Sequence, residues 1–215
     1  MQIQPLFRAA APATTLPAGA ADLLTAMQPA AVTFYPEGAV IYAQGDKAGP
    51  LYFVEFGCVR ICRMSADGRR QITAFHVAGE VFGFEAGDEY ESYAESVDGA
   101  GVRSLRSASG AEPAGRLLLL AVRSLARTQN HLMVLGRRNA NERMAALLLD
   151  LGERQGSVDL VHLPMQRNDI ADYLGITFET VSRTLRYLKD RRIIRLKAVN
   201  EIEIVDHDAL EEMCE

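Results

Sequence analysis

Between about Val32 and Arg106, short apolar and aromatic runs recur between glycines: Ala39–Tyr42, Leu51–Phe56, Val59–Met64 and Gln71–His76, punctuated by Gly38, Gly45, Gly57, Gly68 and Gly79. Turn signals at intervals of about 7–12 residues, among them the hairpin dipeptide Asp67-Gly68, predict an all-β barrel or sandwich. Past Pro113 the period changes. From Ala114 to about Arg138 an apolar seam steps by three and four through Leu118, Ala121, Leu125, Thr128, Leu132 and Leu135, which predicts one long helix of about 36 Å. A helix of that length, apolar along one stripe, is expected to pair with a second copy of itself. The alternative is burial against its own β region. Asn139 to Glu153 predicts a further amphipathic helix with Met144, Leu147, Leu148 and Leu151 on one face. Residues 1–20, with Pro5, Pro12 and Pro17 among small residues, predict a loose arm.

Residues 166–185 read as helix, tight turn, helix. Ile170 and Leu174 form the apolar face of the first helix, and Ala171 is small where two helices must cross. Gly175 suits a helix end that needs positive φ. Ile176 plugs the corner and Thr177 can cap the next helix through its hydroxyl. Gln166, before the first helix, stands where Ser, Thr, Asp or Asn would be preferred. At 100° per residue, Val181, Leu185 and Leu188 share one side of the second helix, while Glu179, Ser182, Arg183 and Arg186 share another. An arginine pairs bidentately with guanine, and a carboxylate accepts from cytosine N4. Phosphate repels a carboxylate, so Glu179 fits a DNA-facing surface only if it meets a base or orients Arg183.

Charge placement sharpens this picture. The chain of 215 residues carries a net charge of −5, which on average argues against nucleic acid. Yet Arg183, Arg186, Lys189, Arg191, Arg192, Arg195 and Lys197 face only Glu179 and Asp190 between 179 and 197, a local +5. The stretches 80–98 and 201–215 contain acidic residues and no Lys or Arg. A basic island in an acidic chain is an electrostatic footprint for phosphate. Ile193–Leu196 and Glu201–Val205 flank a turn containing Asn200, as in a β-hairpin wing. The 48% hydrophobic and 24% charged fractions are those of a globular chain. No apolar run approaches the roughly 18 residues of a membrane span. Cys58, Cys62 and Cys214 form no disulfide or zinc spacing, so a cytoplasmic protein is expected.

From Leu163 to Arg183 the chain resembles the winged helix of Crp/Fnr-family transcription regulators, in particular the FixK branch. The order of β region, long helix and winged helix-turn-helix is also that family's. The resemblance implies an α+β fold: a cyclic-nucleotide-binding-like β-roll at 21–112, a dimerisation helix at 113–138, and a DNA-binding domain at 139–215 with its motif at about 166–186. It makes Glu179, Ser182 and Arg183 the base readers, with Arg167, Thr177, Thr180, Arg186 and Lys189 toward phosphate. It further implies a homodimer joined along Leu118, Leu125, Leu132 and Leu135. Such a dimer would read double-stranded DNA at a palindrome like TTGAT–four bases–ATCAA and contact RNA polymerase as an activator.

The sensor region departs from the ligand-binding members. Gly79-Glu80 is present, but the Arg-Ser or Arg-Thr that holds a cyclic phosphate does not follow; Glu85, Asp88, Glu89, Glu91 and Glu95 occupy the stretch, and the next basic residue is Arg103. Carboxylates repel a phosphate rather than neutralise it. Three cysteines, none before Cys58, cannot supply a four-cysteine iron–sulfur cluster. The expectation is therefore no cofactor. His76 and His131 remain available to a haem, and the alternative reading is a sensor whose DNA binding depends on haem or another effector. Cys58 and Cys62, near Arg60 and Arg63, are the redox candidates, provided that one thiol is exposed with a low pKa. A small-ligand module whose helical tail is only an interaction platform is a second class of function. An enzyme is not expected: the histidines at 76, 131, 162 and 207 are far apart, and no nucleophile-elbow, zinc-protease or phosphate-loop motif occurs.

Overall fold

The computed structural model describes residues 28–106 and 114–214; the expected arm at 1–20 lies outside them. Among the described residues, β1 (Gln28–Pro29), β2 (Thr33–Tyr35), β3 (Val40–Tyr42), β4 (Leu51–Phe56), β5 (Cys58–Met64), β6 (Arg70–Val77), β7 (Val81–Phe82), β8 (Tyr93–Ser96) and β9 (Ala100–Arg106) come first. They form two antiparallel sheets, one ordered β1-β9-β4-β7 with β2 also on β9, the other β3-β8-β5-β6. The four runs read from the sequence fall on β3 to β6. The β5–β6 hairpin closes through Asp67-Gly68, where the Ser65 amide donates to the Arg69 carbonyl at 2.9 Å. Gly57, between β4 and β5, has φ +79°, and a Cβ there would lie 2.2 Å from the Gly99 carbonyl oxygen. Only glycine fits that crossing.

Tyr42, Val54, Val59, Phe82, Tyr90, Ala94 and Val102 are buried together between the sheets. Tyr42 and Tyr90 stack there with ring centroids 3.7 Å apart.

Helix α1 (Ala114–Gly136) follows, then α2 (Ala140–Gln155), β10 (Leu160–His162), α3 (Arg167–Leu174), α4 (Phe178–Asp190), β11 (Ile194–Ala198), β12 (Glu201–Ile204) and α5 (His207–Glu212). Asn139 starts α2 by accepting from the Glu142 amide at 2.9 Å, while the Glu142 carboxylate accepts from the Arg138 amide at 3.2 Å. This reciprocal arrangement satisfies amides that a helix start leaves unpaired. Gly156 ends the helix in the left-handed region at φ 65°. The expected wing is present as the antiparallel sheet β10-β12-β11.

The roll and the C-terminal region share a core. Cys58, Cys62, Ile72, Phe75 and Val77 of the roll belong to one buried cluster with Met144, Leu148, Ile170, Leu174, Val181, Leu188 and Ile202. Fully burying a side chain such as Leu148 or Ile170 contributes about 1.5–3 kcal/mol, so the C-terminal region is seated firmly on strands β5 and β6.

Polar contacts frame this junction. Arg60 Nη1 donates to Asp169 Oδ2 at 2.9 Å, and Arg70 pairs with both Asp169 and Asp172. Arg154 of α2 grips Glu80, and Gln71 Nε2 donates to the Asp172 carbonyl at 2.9 Å.

Helix α1 divides its apolar residues between two faces. Leu117 and Leu120 pack against Phe53, Val81 and Leu105 of the roll. Leu118, Val122, Leu125, Leu132 and Met133 are exposed, Met133 at 73%. The exposed stripe thus differs from the expected seam. Val122 takes the place of Ala121, which is half-buried, and Leu135 is half-buried with its Cδ2 3.6 Å from where a Cβ on Gly175 would sit. The turn after α3, at Gly175, lies beside Leu135 and covers it. None of the helices of the described residues is long and apolar enough to cross a membrane.

Candidate nucleic-acid interface

The interface grows from the α3–turn–α4 unit. Ile170, Ala171 and Leu174 of α3 are buried. Gly175 closes the helix at φ 63°, its amide donating to the Ala171 carbonyl. Thr177 caps α4 by accepting from the Thr180 amide at 3.2 Å. Gln166 occupies the cap position of α3 without a side-chain cap bond; its amide nitrogen instead donates to Glu37 Oε1 at 3.1 Å.

Val181, Thr184, Leu185 and Leu188 bury one side of α4. Thr184 joins them, its methyl packing although its hydroxyl gives it a polar character in the sequence. The opposite side is open. Glu179, Arg183, Arg186 and Lys189 are exposed, and Ser182 and Thr180 are half-buried. Arg183 Nη2 donates to Thr180 Oγ1 at 3.1 Å, and Arg167 Nη1 of α3 donates to Ser182 Oγ at 3.2 Å. The hydroxyls of Thr177 and Thr180 lie 3.1 Å apart. Ser182 is thus tied to Arg167, and Arg183 to Thr180 beside Thr177, at the start of α4, while Arg186 and Lys189 extend the exposed face toward its end. The Glu179 carboxyl is held below its ordinary value by its own backbone amide and the Thr177 hydroxyl, so it is an ionised acceptor at neutral pH.

Part of the basic island is paired inside the wing. Arg195 Nη1 and Lys197 Nζ approach Glu203 Oε2 at 2.6 and 3.2 Å, and Arg191 lies over the Tyr187 ring at 5.1 Å. Strand pairing β11–β12 brings Glu203 opposite Arg195, a neutralisation that charge counting along the chain does not see. Arg192 adopts φ 60° where the chain leaves α4 for the wing, a region that non-glycine residues seldom enter.

The sensor-region residues behave differently from the expectation in one respect. Cys58 and Cys62 are both buried. Burial pushes the Cys62 thiol up to about 11 and the Cys58 thiol higher still. An exposed, low-pKa thiol is absent at both positions, because both side chains point into the core shared with α2 and α3. His76 packs on the Phe82 ring at 5.4 Å and lies 3.6 Å from Glu80. His131 packs on Tyr173 at 3.9 Å. Among the described residues no group of three or more His, Cys, Asp and Glu side chains is placed to share a metal ion.

Glu80, which follows Gly79, is buried. Its carboxylate accepts from Arg154 Nε and Nη2 at 2.9 Å each, and Arg127 Nη2 lies 3.1 Å away. Burial would raise this carboxyl, but Arg154 and His76 outweigh it and hold it well below the usual carboxylate range. Arg103, the next basic residue in the chain, pairs with Glu55 at 2.9 Å.

Comparison with known proteins agrees with this architecture. A Crp-like helix-turn-helix domain matches residues 142–213 and a cyclic nucleotide-binding domain matches residues 32–97. The nitrogen fixation regulation protein FixK of Rhizobium meliloti (strain 1021) is 46% identical over 86% of this chain and 88% of that protein. The fumarate and nitrate reduction regulatory protein of Escherichia coli (strain K12) is 30% identical over 82% of this chain and 76% of that one. The solved structure of FixK2 from Bradyrhizobium japonicum superposes with a TM-score of 0.80 at 33% identity, covering 86% of this chain and 96% of that one. With its roll, its wing and its relatives all in agreement, the chain belongs to the Crp/Fnr family of transcription regulators, among the FixK-like members.

Proposed function

We propose that this regulator is a homodimer that binds a TTGAT–four bases–ATCAA-type palindrome and activates transcription through RNA polymerase in the cytoplasm, needing neither cyclic nucleotide nor an iron–sulfur cluster. The observation that carries the reading is the outer face of α4. Glu179, Ser182 and Arg183 stand on a helix whose opposite side is buried, so a base-reading surface is already formed without further folding. Arg183 offers two parallel donors to guanine and Glu179 an acceptor to cytosine N4. Arg167, Thr177, Thr180, Arg186 and Lys189 surround them as phosphate contacts that fix register without reading sequence.

The exposed stripe Leu118, Val122, Leu125 and Leu132 supports dimerisation along α1. Apolar residues at steps of four, three and seven follow the period of a two-helix seam, and leaving four such side chains in water is unfavourable. Two half-sites about 34 Å apart suit two recognition helices presented by a symmetric pair. Independence from cyclic nucleotide is supported by Glu80, whose carboxylate is engaged by Arg154 and Arg127. The acidic stretch from Glu85 to Glu95 offers a cyclic phosphate no cation.

The experiment is titration of the purified protein, without additive, against the palindrome and a scrambled duplex at fixed salt. Specific binding at least a hundredfold tighter than to the scrambled duplex, on the order of the low end of specificity ratios, is the expected result. Equal affinity for both duplexes would overturn the reading.

A further inference from the structure

Helix α3 is held to the roll along one line of polar side chains. Gln166, Asp169 and Asp172 follow at steps of three, the spacing that makes neighbours on a helix surface, and each meets a different part of the roll. Gln166 Nε2 donates to Glu37 Oε1, between β2 and β3, at 3.1 Å. Asp169, only 4% exposed, accepts from Arg60 Nη1 of β5 at 2.9 Å and from Arg70 of β6. Asp172 Oδ2 accepts from Arg70 Nε at 2.9 Å, and its carbonyl accepts from Gln71 Nε2. Arg60 is itself anchored by Glu95 of β8 at 2.8 Å.

Charges at such a junction add geometry more than stability. A buried ion pair gains little over an apolar contact of the same shape, whereas a guanidinium fork accepts carboxylate oxygens only in fixed directions. An apolar junction tolerates a small slide or rotation; two forks gripping neighbouring acids do not. Helix α4 packs chiefly on α2, α3 and β11, so the roll orients it through these neighbours. The roll in turn carries α1, through Leu117 and Leu120 on Phe53, Val81 and Leu105. The apolar stripe of α1 and the outer face of α4 are thus linked by a chain of contacts in which the two-arginine clasp is the directional step.

We propose that this clasp fixes the spacer length that the regulator accepts, with Asp169 and Asp172 as positioning residues that act on DNA only through α4. The proposal rests on the dimeric, palindrome-reading function above. In a symmetric pair joined along α1, the separation and twist between the two α4 helices are set by how each α3 sits on its own roll. One added base pair moves a half-site by about 3.4 Å and turns it by about 35°. A clasped pair cannot follow that change, and a pair released from the clasp can.

The test titrates the full-length protein against palindromes with three-, four- and five-base spacers, and against four-base palindromes with one substituted base per half-site. The parent is expected to prefer the four-base spacer by about thirtyfold, comparable to a single mismatch in a site. Asp169→Leu keeps the position buried and leaves Arg60 with Glu95 and Arg70 with Asp172. It should narrow the spacer preference to below about fivefold while the penalty for each base substitution stays within about twofold of the parent's. A merely structural role would weaken all duplexes together and leave the spacer ratio unchanged. Should Asp169→Leu unfold, Arg70→Gln is the second variant; it should relax the spacer preference, and Arg70→Lys should restore part of it. An unchanged spacer ratio in a folded variant, an equal loss of base discrimination, or tighter binding to every spacer would each overturn the proposal. A parent that binds the palindrome no better than a scrambled duplex would overturn the regulator reading together with it, so the two failures are told apart by the parent alone.

Discussion

Arg154 and Glu80 form a bidentate pair, with both guanidinium-to-carboxylate distances at 2.9 Å, although one residue sits on α2 and the other on the roll. Side-chain exposure is 11% for Arg154 and 4% for Glu80. A pair buried this deeply contributes little over an apolar contact, but removing one partner strands the other charge. Glu80→Ala should therefore destabilise the fold by about 3–5 kcal/mol, read by urea unfolding. A loss below about 1 kcal/mol would mean that Asp150, already bound to Arg154 Nη1 at 2.8 Å, neutralises it alone.

Asp169 is the matching contact on the helix-turn-helix side, nearly buried and held by Arg60 and Arg70. Asp169→Ala should cost about 2–4 kcal/mol. Because Arg60 keeps Glu95 and Arg70 keeps Asp172, the cost should be no larger than that of Glu80→Ala.

Arg183→Ala should lose about 1–3 kcal/mol at the matched base and relax the preference there. Lys189→Ala should weaken all sequences evenly and flatten the salt slope by about 1. Competition binding across half-site variants separates the two. If Arg183→Ala discriminates like the parent protein, Arg183 is not a base reader.

Leu125→Glu places a carboxylate in the exposed stripe of α1, 58% exposed in the single chain. It should leave the fold intact and yield monomers, because a charge in an apolar seam must be desolvated. Sedimentation of an intact dimer would remove α1 from the interface.

His131 and His76 are buried with lowered pKa values, in both cases through desolvation first. The unfolded chain takes up protons at its ordinary value of 6.5, while the folded histidines resist until lower pH. Stability should thus decline as pH falls below about 6.5. His131→Phe should make that decline shallower in thermal unfolding between pH 7 and 5. An unchanged slope would show that His131 is not among the groups responsible.

Local chemistry along the chain suffices for a good deal. Gly175 at the turn, Thr177 at the cap, and Val181, Leu185 and Leu188 at the buried side of α4 all act through neighbours within a turn or two. Periodicity and capping rules reach them directly. The same holds for the β5–β6 hairpin at Asp67-Gly68. The seam on α1 was legible in period but not in phase: which of Ala121, Val122 and Leu135 faces outward depends on what packs beside the helix.

Contacts between distant segments come from folding alone. Asp169 looks like a solvent-facing acid next to a basic island, yet it is buried under two arginines contributed by β5 and β6. Glu203 is acidic by sequence but lies across the wing from Arg195. Glu80 stands at the head of an acidic stretch, but its partners arrive from α1 and α2. Cys58 and Cys62 have arginines as neighbours in sequence, and burial nevertheless raises both thiols. The physical reason is common to all four. A charge or thiol is governed by what surrounds it within a few ångströms, and strand pairing and helix docking bring in residues from as far as 109 positions away, as with Arg60 and Asp169.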